Sequence, residues 1–205
     1  HDDANAAKDP GNRWYWRADR RRLDAEAIRD SLLAVGGNLD RSRPGPHPFP
    51  PIEKWNWTQH APFKDVYPTN HRSVYLMTQR FQRHPYLALF DGSDTNTTTE
   101  QRPTSTVPSQ ALFLVNNPFV KEQAEGFARR LIAASADVGQ RIDLGFRIAW
   151  SRPATSAERF KYQQYTDGYA RQLAQAGVPA ERRELEAWTS FARIVLCANE
   201  FIYTD

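Results

Sequence analysis

Seven prolines fall between Arg41 and Thr69: Pro44, Pro46, Pro48, Pro50, Pro51, Pro62 and Pro68. Each fixes φ and removes a backbone donor, so neither a helix nor a central strand can run through that segment. This third of the chain is predicted to be extended loop. Two stretches inside or beside it alternate in polarity. In "EKWNWTQ", Lys54, Asn56 and Thr58 alternate with Trp55 and Trp57. In "HRSVYLMTQ", Val74, Leu76 and Thr78 share one face and Ser73, Tyr75 and Met77 the other. A period of two is the strand signature, and the two stretches are expected to pair as a short β-hairpin.

The remainder reads as helix. Ile28, Leu32 and Val35 recur at helical spacing between Asp24 and Val35, with Glu26, Arg29 and Asp30 on the other side and Gly36-Gly37 as the stop. Arg17, Arg20, Arg21 and Arg22 precede this helix, where its dipole disfavours positive charge. Acidic partners such as Asp24 and Glu26 are therefore expected for them. Pro85 opens a short turn to Phe90, and Asp91–Thr106 is loop. Pro108 starts a helix that ends at Asn116, and Asn117-Pro118 caps and starts the next. Val120, Ala124, Phe127, Ala128 and Leu131 form its apolar stripe. A helix over 139–150 follows. Thr155 and Glu158 make a capping box for a third, striped by Tyr162, Tyr165, Tyr169 and Leu173 and stopped at Gly177. A fourth carries Leu185, Trp188, Ala192, Val195 and Leu196 and should be the most buried. The predicted fold is mainly α: a C-terminal helical bundle with a loop-rich N-terminal third wrapped on it, as a single domain over 1–205, divided into 1–107 and 108–205.

With 205 residues, 40% of them apolar and 12% aromatic, the chain can furnish a core. The 27 basic and 24 acidic residues leave a formal charge of +3, too balanced to mark a nucleic-acid binder. No run of apolar residues is long enough to span a membrane. Cys197 is the only cysteine, which excludes an internal disulfide and the C-x-x-C-H motif of covalent haem attachment. No cofactor is expected in this domain. The polar start at His1, without methionine, suggests a piece of a longer protein.

Three groups of residues are candidates for chemistry or recognition. Arg102, Gln110 and Asn116 flank the turn between two helices, and are read as a structural polar corner that satisfies the backbone of the adjoining loop. Asp91, Ser93, Asp94, Asn96 and Glu100 supply hard oxygens of the kind calcium takes, though their order does not match an EF-hand. Trp55 and Trp57, on one face, offer rings for stacking on a sugar. His47, His60, His71 and His84 lie in the loop-rich part without metal-ligand spacing. A pocket joining Arg102, Asp94 and His71 would make the region between Asp91 and Asn116 an enzyme site. No nucleophile-elbow or other catalytic motif supports that, and no catalytic residue is assigned.

Several segments carry a resemblance. "RPTSTVPSQALFLVNNPFV" resembles the R-x-x-T-x-x-P-Q-A-L-x-x-x-N-x-P-F-V segment of a planctomycete-type domain of unknown function, with Ser109 standing between Pro108 and Gln110. "RRRLDAEAIRDSLLAVGGNLD", "HRSVYL", "RIAWSRPATSAE" and "CANEFIYTD" resemble its other motifs, from about Asp9 to Asp205. The resemblance implies the C-terminal part of a large exported protein, ending at Asp205, with a cytochrome c-like domain and a further domain before it. Haem c would then belong to another part of that polypeptide. It further implies an extracytoplasmic location and other domains of the same polypeptide as partners. The expected role is a non-catalytic accessory or scaffold domain, with a polysaccharide-binding module, or part of an enzyme site completed by a neighbouring domain, as the alternatives.

Overall fold

The computed structural model describes residues 2–204; His1 and Asp205, the expected end of the polypeptide, lie outside the described residues. Nine α-helices occur among them: α1 (Asp3–Lys8), α2 (Ala25–Gly36), α3 (Pro85–Leu89), α4 (Pro108–Asn116), α5 (Pro118–Ala134), α6 (Val138–Trp150), α7 (Ser156–Gln175), α8 (Ala180–Cys197) and α9 (Asn199–Ile202). The fold is mainly α, with its long helices in the second half of the chain.

The helix ends follow local chemistry. Asn117 Oδ1 accepts from Phe119 N, and proline at the first helical position needs no partner. Asp137 caps α6 through Gln140 N. At α7 the Thr155 side chain and the Glu158 side chain satisfy each other's backbone donors, the full capping box. Gly37 closes α2 at φ 81, with its N–H and that of Asn38 returned to the last turn. The polar start of the chain contains α1, capped by Asp2.

The core is centred on α8, which packs on α4, α5, α6, α7 and α9. Its Phe191, Ala192, Val195 and Leu196 are fully buried, as are Phe127 and Leu131 of α5 and Ile142 and Phe146 of α6. The tyrosine stripe of α7 is only half-buried, so that helix lies at the edge. Helix α2 crosses α5 at a glycine pair. A Cβ on Gly126 would stand 2.4 Å from the Gly36 carbonyl oxygen, and one on Gly36 would stand 2.7 Å from Gln123 Oε1. Asn38 Nδ2 donates to Gln123 Oε1 beside the crossing at 2.8 Å.

A two-stranded antiparallel sheet is present, but its strands are not the expected ones. Strand β1 (Arg21–Arg22) pairs with β2 (Tyr203–Thr204) and so ties the segment before α2 to the segment after α9. The two stretches expected to form a hairpin form single 3₁₀ turns, Ile52–Lys54 and Ser73–Tyr75. The first stretch turns back on itself instead of pairing outward: Thr58 and Ala61 exchange backbone hydrogen bonds at 3.1 and 3.2 Å. The second is drawn onto α2: Asp30 Oδ1 accepts from Ser73 N at 2.8 Å and from Ser73 Oγ at 2.6 Å.

Candidate functional site

The loop after α3 meets the start of α4 at a buried polar cluster. Its centre is Arg22, whose side chain is 5% exposed. Nη2 donates to Asp91 Oδ2 at 2.6 Å and to the Phe90 carbonyl at 3.3 Å. Nη1 donates to Gln110 Oε1 at 3.1 Å and to the Ser105 carbonyl. Ser105 gives its N–H and its hydroxyl to the Asp91 carboxylate, at 2.8 and 2.9 Å. Gln110 Nε2 donates to the Leu89 carbonyl at 3.0 Å and to Ser105 Oγ at 3.3 Å. Partial burial raises the pKa of Asp91, but the hydrogen bonds from Arg22 and Ser105 outweigh it and hold the carboxyl below its ordinary range. The Asp91 backbone adopts φ 61, a left-handed conformation that aspartate tolerates.

The three residues of the expected corner have separate places. Gln110 is buried in this cluster. Arg102 instead pairs with Glu26 of α2 at 2.6 Å, both side chains about one-third exposed. Asn116 is exposed, and the capping belongs to its neighbour Asn117. Of the oxygen-rich group, Asp91 is engaged by Arg22 and Ser105. Asp94 Oδ1 accepts from Asn96 N at 2.9 Å, a local turn, and Asn96 Nδ2 reaches the Arg80 carbonyl. Glu100 is exposed. Among the described residues, no three His, Cys, Asp or Glu side chains converge as metal ligands would. His71 Nδ1 lies 3.3 Å from Asp40 and takes no part in the Arg102 or Asp94 contacts. Of the arginines before α2, Arg22 pairs with Asp91, Arg17 lies over the Trp16 ring and Arg20 over the Tyr203 ring. Burial raises the pKa of the Cys197 thiol, which donates to the Leu114 carbonyl.

Trp55 and Trp57 do lie side by side, with ring centroids 5.4 Å apart. Trp57 packs edge-on against Phe63 at 4.6 Å, and Phe63 against Phe49 at 5.4 Å. Trp55 is 51% exposed, its indole N–H held by the Pro50 carbonyl at 2.8 Å.

A cleft of about 580 Å³ opens on another side of α2, between the Val66–Asn70 segment, α3 and the start of α5. Arg29 of α2, and His84 and Tyr86 at the start of α3, line it from two parts of the chain. Arg29 was expected on the solvent side of α2, yet it is 7% exposed. The Val66–Asn70 segment and the 3₁₀ turn after it cover it, with Arg29 donating to the Thr69 and His71 carbonyls and to Ser73 Oγ. The Tyr86 hydroxyl donates to the Ala25 carbonyl at 2.8 Å, and burial pushes its pKa far up. His84 Nδ1 is buried with no hydrogen-bond partner among the described residues. Burial, then the nearby charge of Arg29, lowers the His84 pKa and so favours the neutral ring. No periodicity signals this cleft, because its walls come from several helices and one loop that meet only in the tertiary structure.

A family model described as PSD1, Protein of unknown function (DUF1553), matches residues 1–166. No curated protein and no solved structure matches the chain.

Proposed function

The chain belongs to the DUF1553 family of proteins of unknown function, and on that premise we propose that it is a non-catalytic accessory domain. Its setting, on this reading, is an exported, planctomycete-type multidomain protein that bears cytochrome c in another part of the polypeptide. The domain gives that protein a rigid helical body against which its other domains dock, outside the cytoplasm.

The observation that supports the reading is the use of the polar cluster around Arg22. A catalytic serine needs a base with a pKa near the working pH. Ser105 instead donates a hydrogen bond directly to Asp91, a carboxylate held below its ordinary range by Arg22 and therefore too weak a base to activate it. Apart from Arg22 Nε, which is buried without a partner among the described residues, the donors and acceptors named are engaged with one another and with loop carbonyls, as in a structural knot.

The test is to produce this domain and the rest of the parent polypeptide separately and mix them. Stoichiometric association, read by size exclusion and cross-linking, is expected. In the intact parent, Ser105→Ala should lower the melting temperature while leaving activity per folded molecule unchanged. Activity lost at unchanged melting temperature would reverse the reading.

A second reading, a polysaccharide-binding module, is favoured by the half-exposed Trp55 ring beside Trp57. Retardation in a polysaccharide gel, abolished by Trp55→Ala, would support it over the scaffold reading.

A further inference from the structure

Going beyond the scaffold reading, we propose that the cleft between the Val66–Asn70 segment and α5 binds a small monoanionic carboxylate with an apolar body. Arg29 would take the carboxylate and His84 would complete its hydrogen bonding. The volume of about 580 Å³ is in the range of small-molecule sites, and the walls include Tyr67, Pro68, Leu76, Phe113, Pro118 and Phe119. Such walls suit an aromatic or aliphatic body.

The polar groups at the inner end select the charge. A buried guanidinium usually meets a carboxylate, because an uncompensated buried charge is costly. Arg29 is compensated only loosely: its three hydrogen bonds go to neutral oxygens, its ion pair with Asp30 Oδ1 is long at 3.8 Å, and its guanidinium lies over the Phe119 ring of the cleft wall at 5.7 Å. Asp30 is itself occupied by Ser73 N and Oγ. A guanidinium carries five N–H groups, so Arg29 keeps unused donors among the described residues. His84 adds a buried ring nitrogen without a partner. As the Nδ1–H tautomer it donates to an acceptor oxygen. Glu122, exposed at the rim, opposes a second negative charge. The cleft therefore fits one carboxylate at depth with a neutral body reaching outward, and it disfavours a phosphate dianion.

Calorimetric titration of the whole chain with 3-phenylpropionate, 3-phenylpropionamide and inorganic phosphate tests this. The carboxylate is expected to saturate a single site. The amide should bind about tenfold more weakly or worse, since a hydrogen bond to a charged partner contributes roughly 1.5–3 kcal/mol. His84→Phe should weaken the carboxylate by a similar factor at an unchanged melting temperature. Glu122→Lys, at an exposed position that cannot disturb the core, should tighten it several-fold at low salt. The proposal fails if the carboxylate does not bind, if amide or phosphate binds as tightly, or if both variants leave its affinity unchanged.

Discussion

Asp91 binds Arg22 and Ser105 at once, and it shows why single polar residues in this chain differ so much in weight. Its side chain is 14% exposed and that of its arginine partner 5%. Removing one member of such a pair leaves the other charged and dry, at a cost of about 3–5 kcal/mol, whereas removing both is often near neutral. Asp91→Ala is therefore expected to lose stability by about that amount in chemical denaturation. The double variant with Arg22→Met should recover most of it. A double variant no more stable than the single would show that the pair itself is not the source. Arg102 is a different case. Its hydrogen bond to Glu26 raises the arginine pKa, but both side chains are about one-third exposed, and such pairs contribute roughly 1 kcal/mol or less. The sequence marks Arg102 and Gln110 alike as polar residues flanking a helix turn. It cannot say which one ends up buried, because that is decided by Arg22, 88 positions from Gln110.

Helix boundaries were the most legible elements, since a cap is chemistry among four or five neighbours. Asn117, Thr155 with Glu158, and Gly37 all act where the sequence places them. The expected hairpin does not form because alternation alone says nothing about a partner strand: one stretch turns back on itself through Thr58 and Ala61, and Asp30 of α2 takes Ser73 of the other. Arg29 was misread for a related reason: the wall that buries it arrives from a loop some 40 positions away. The junction of α6, α7 and α9 makes a prediction at this scale. Arg152 holds Glu158 of α7 and Glu200 of α9. The hydrogen bond from Arg152, then those from Thr155, lowers the Glu158 pKa from 4.5 to about 2 against the opposing effect of burial. A carboxyl with a depressed folded-state pKa stabilises the fold above its unfolded value and loses that contribution as pH falls through the folded one. Melting temperature should therefore drop between about pH 4.5 and pH 2, and Glu158→Gln should flatten that part of the profile. An identical profile in the variant would place the acid sensitivity in other groups, such as Asp91.

At the scale of the whole molecule, the family match and the core have different extents. The match covers residues 1–166, but the centre of the core is α8, over Ala180–Cys197. Phe191, Val195 and Leu196 of α8 are each fully buried, and each such side chain contributes about 1.5–3 kcal/mol by leaving water. Three of them approach the 5–15 kcal/mol that separates a typical folded domain from its unfolded chain. Helices α4, α5, α6 and α7 all pack on α8, so its removal would expose their apolar stripes together. The last residues add Phe201 and Ile202 to the core, the Glu200 partner of Arg152, and the strand that pairs with Arg21–Arg22. A fragment ending at residue 166 is therefore expected not to fold. It should show reduced helical circular dichroism, no cooperative thermal transition and strong binding of a hydrophobic dye. A cooperative transition in that fragment, at a melting temperature near that of the whole chain, would mean that the N-terminal part has a core of its own and that α8 is an addition to it.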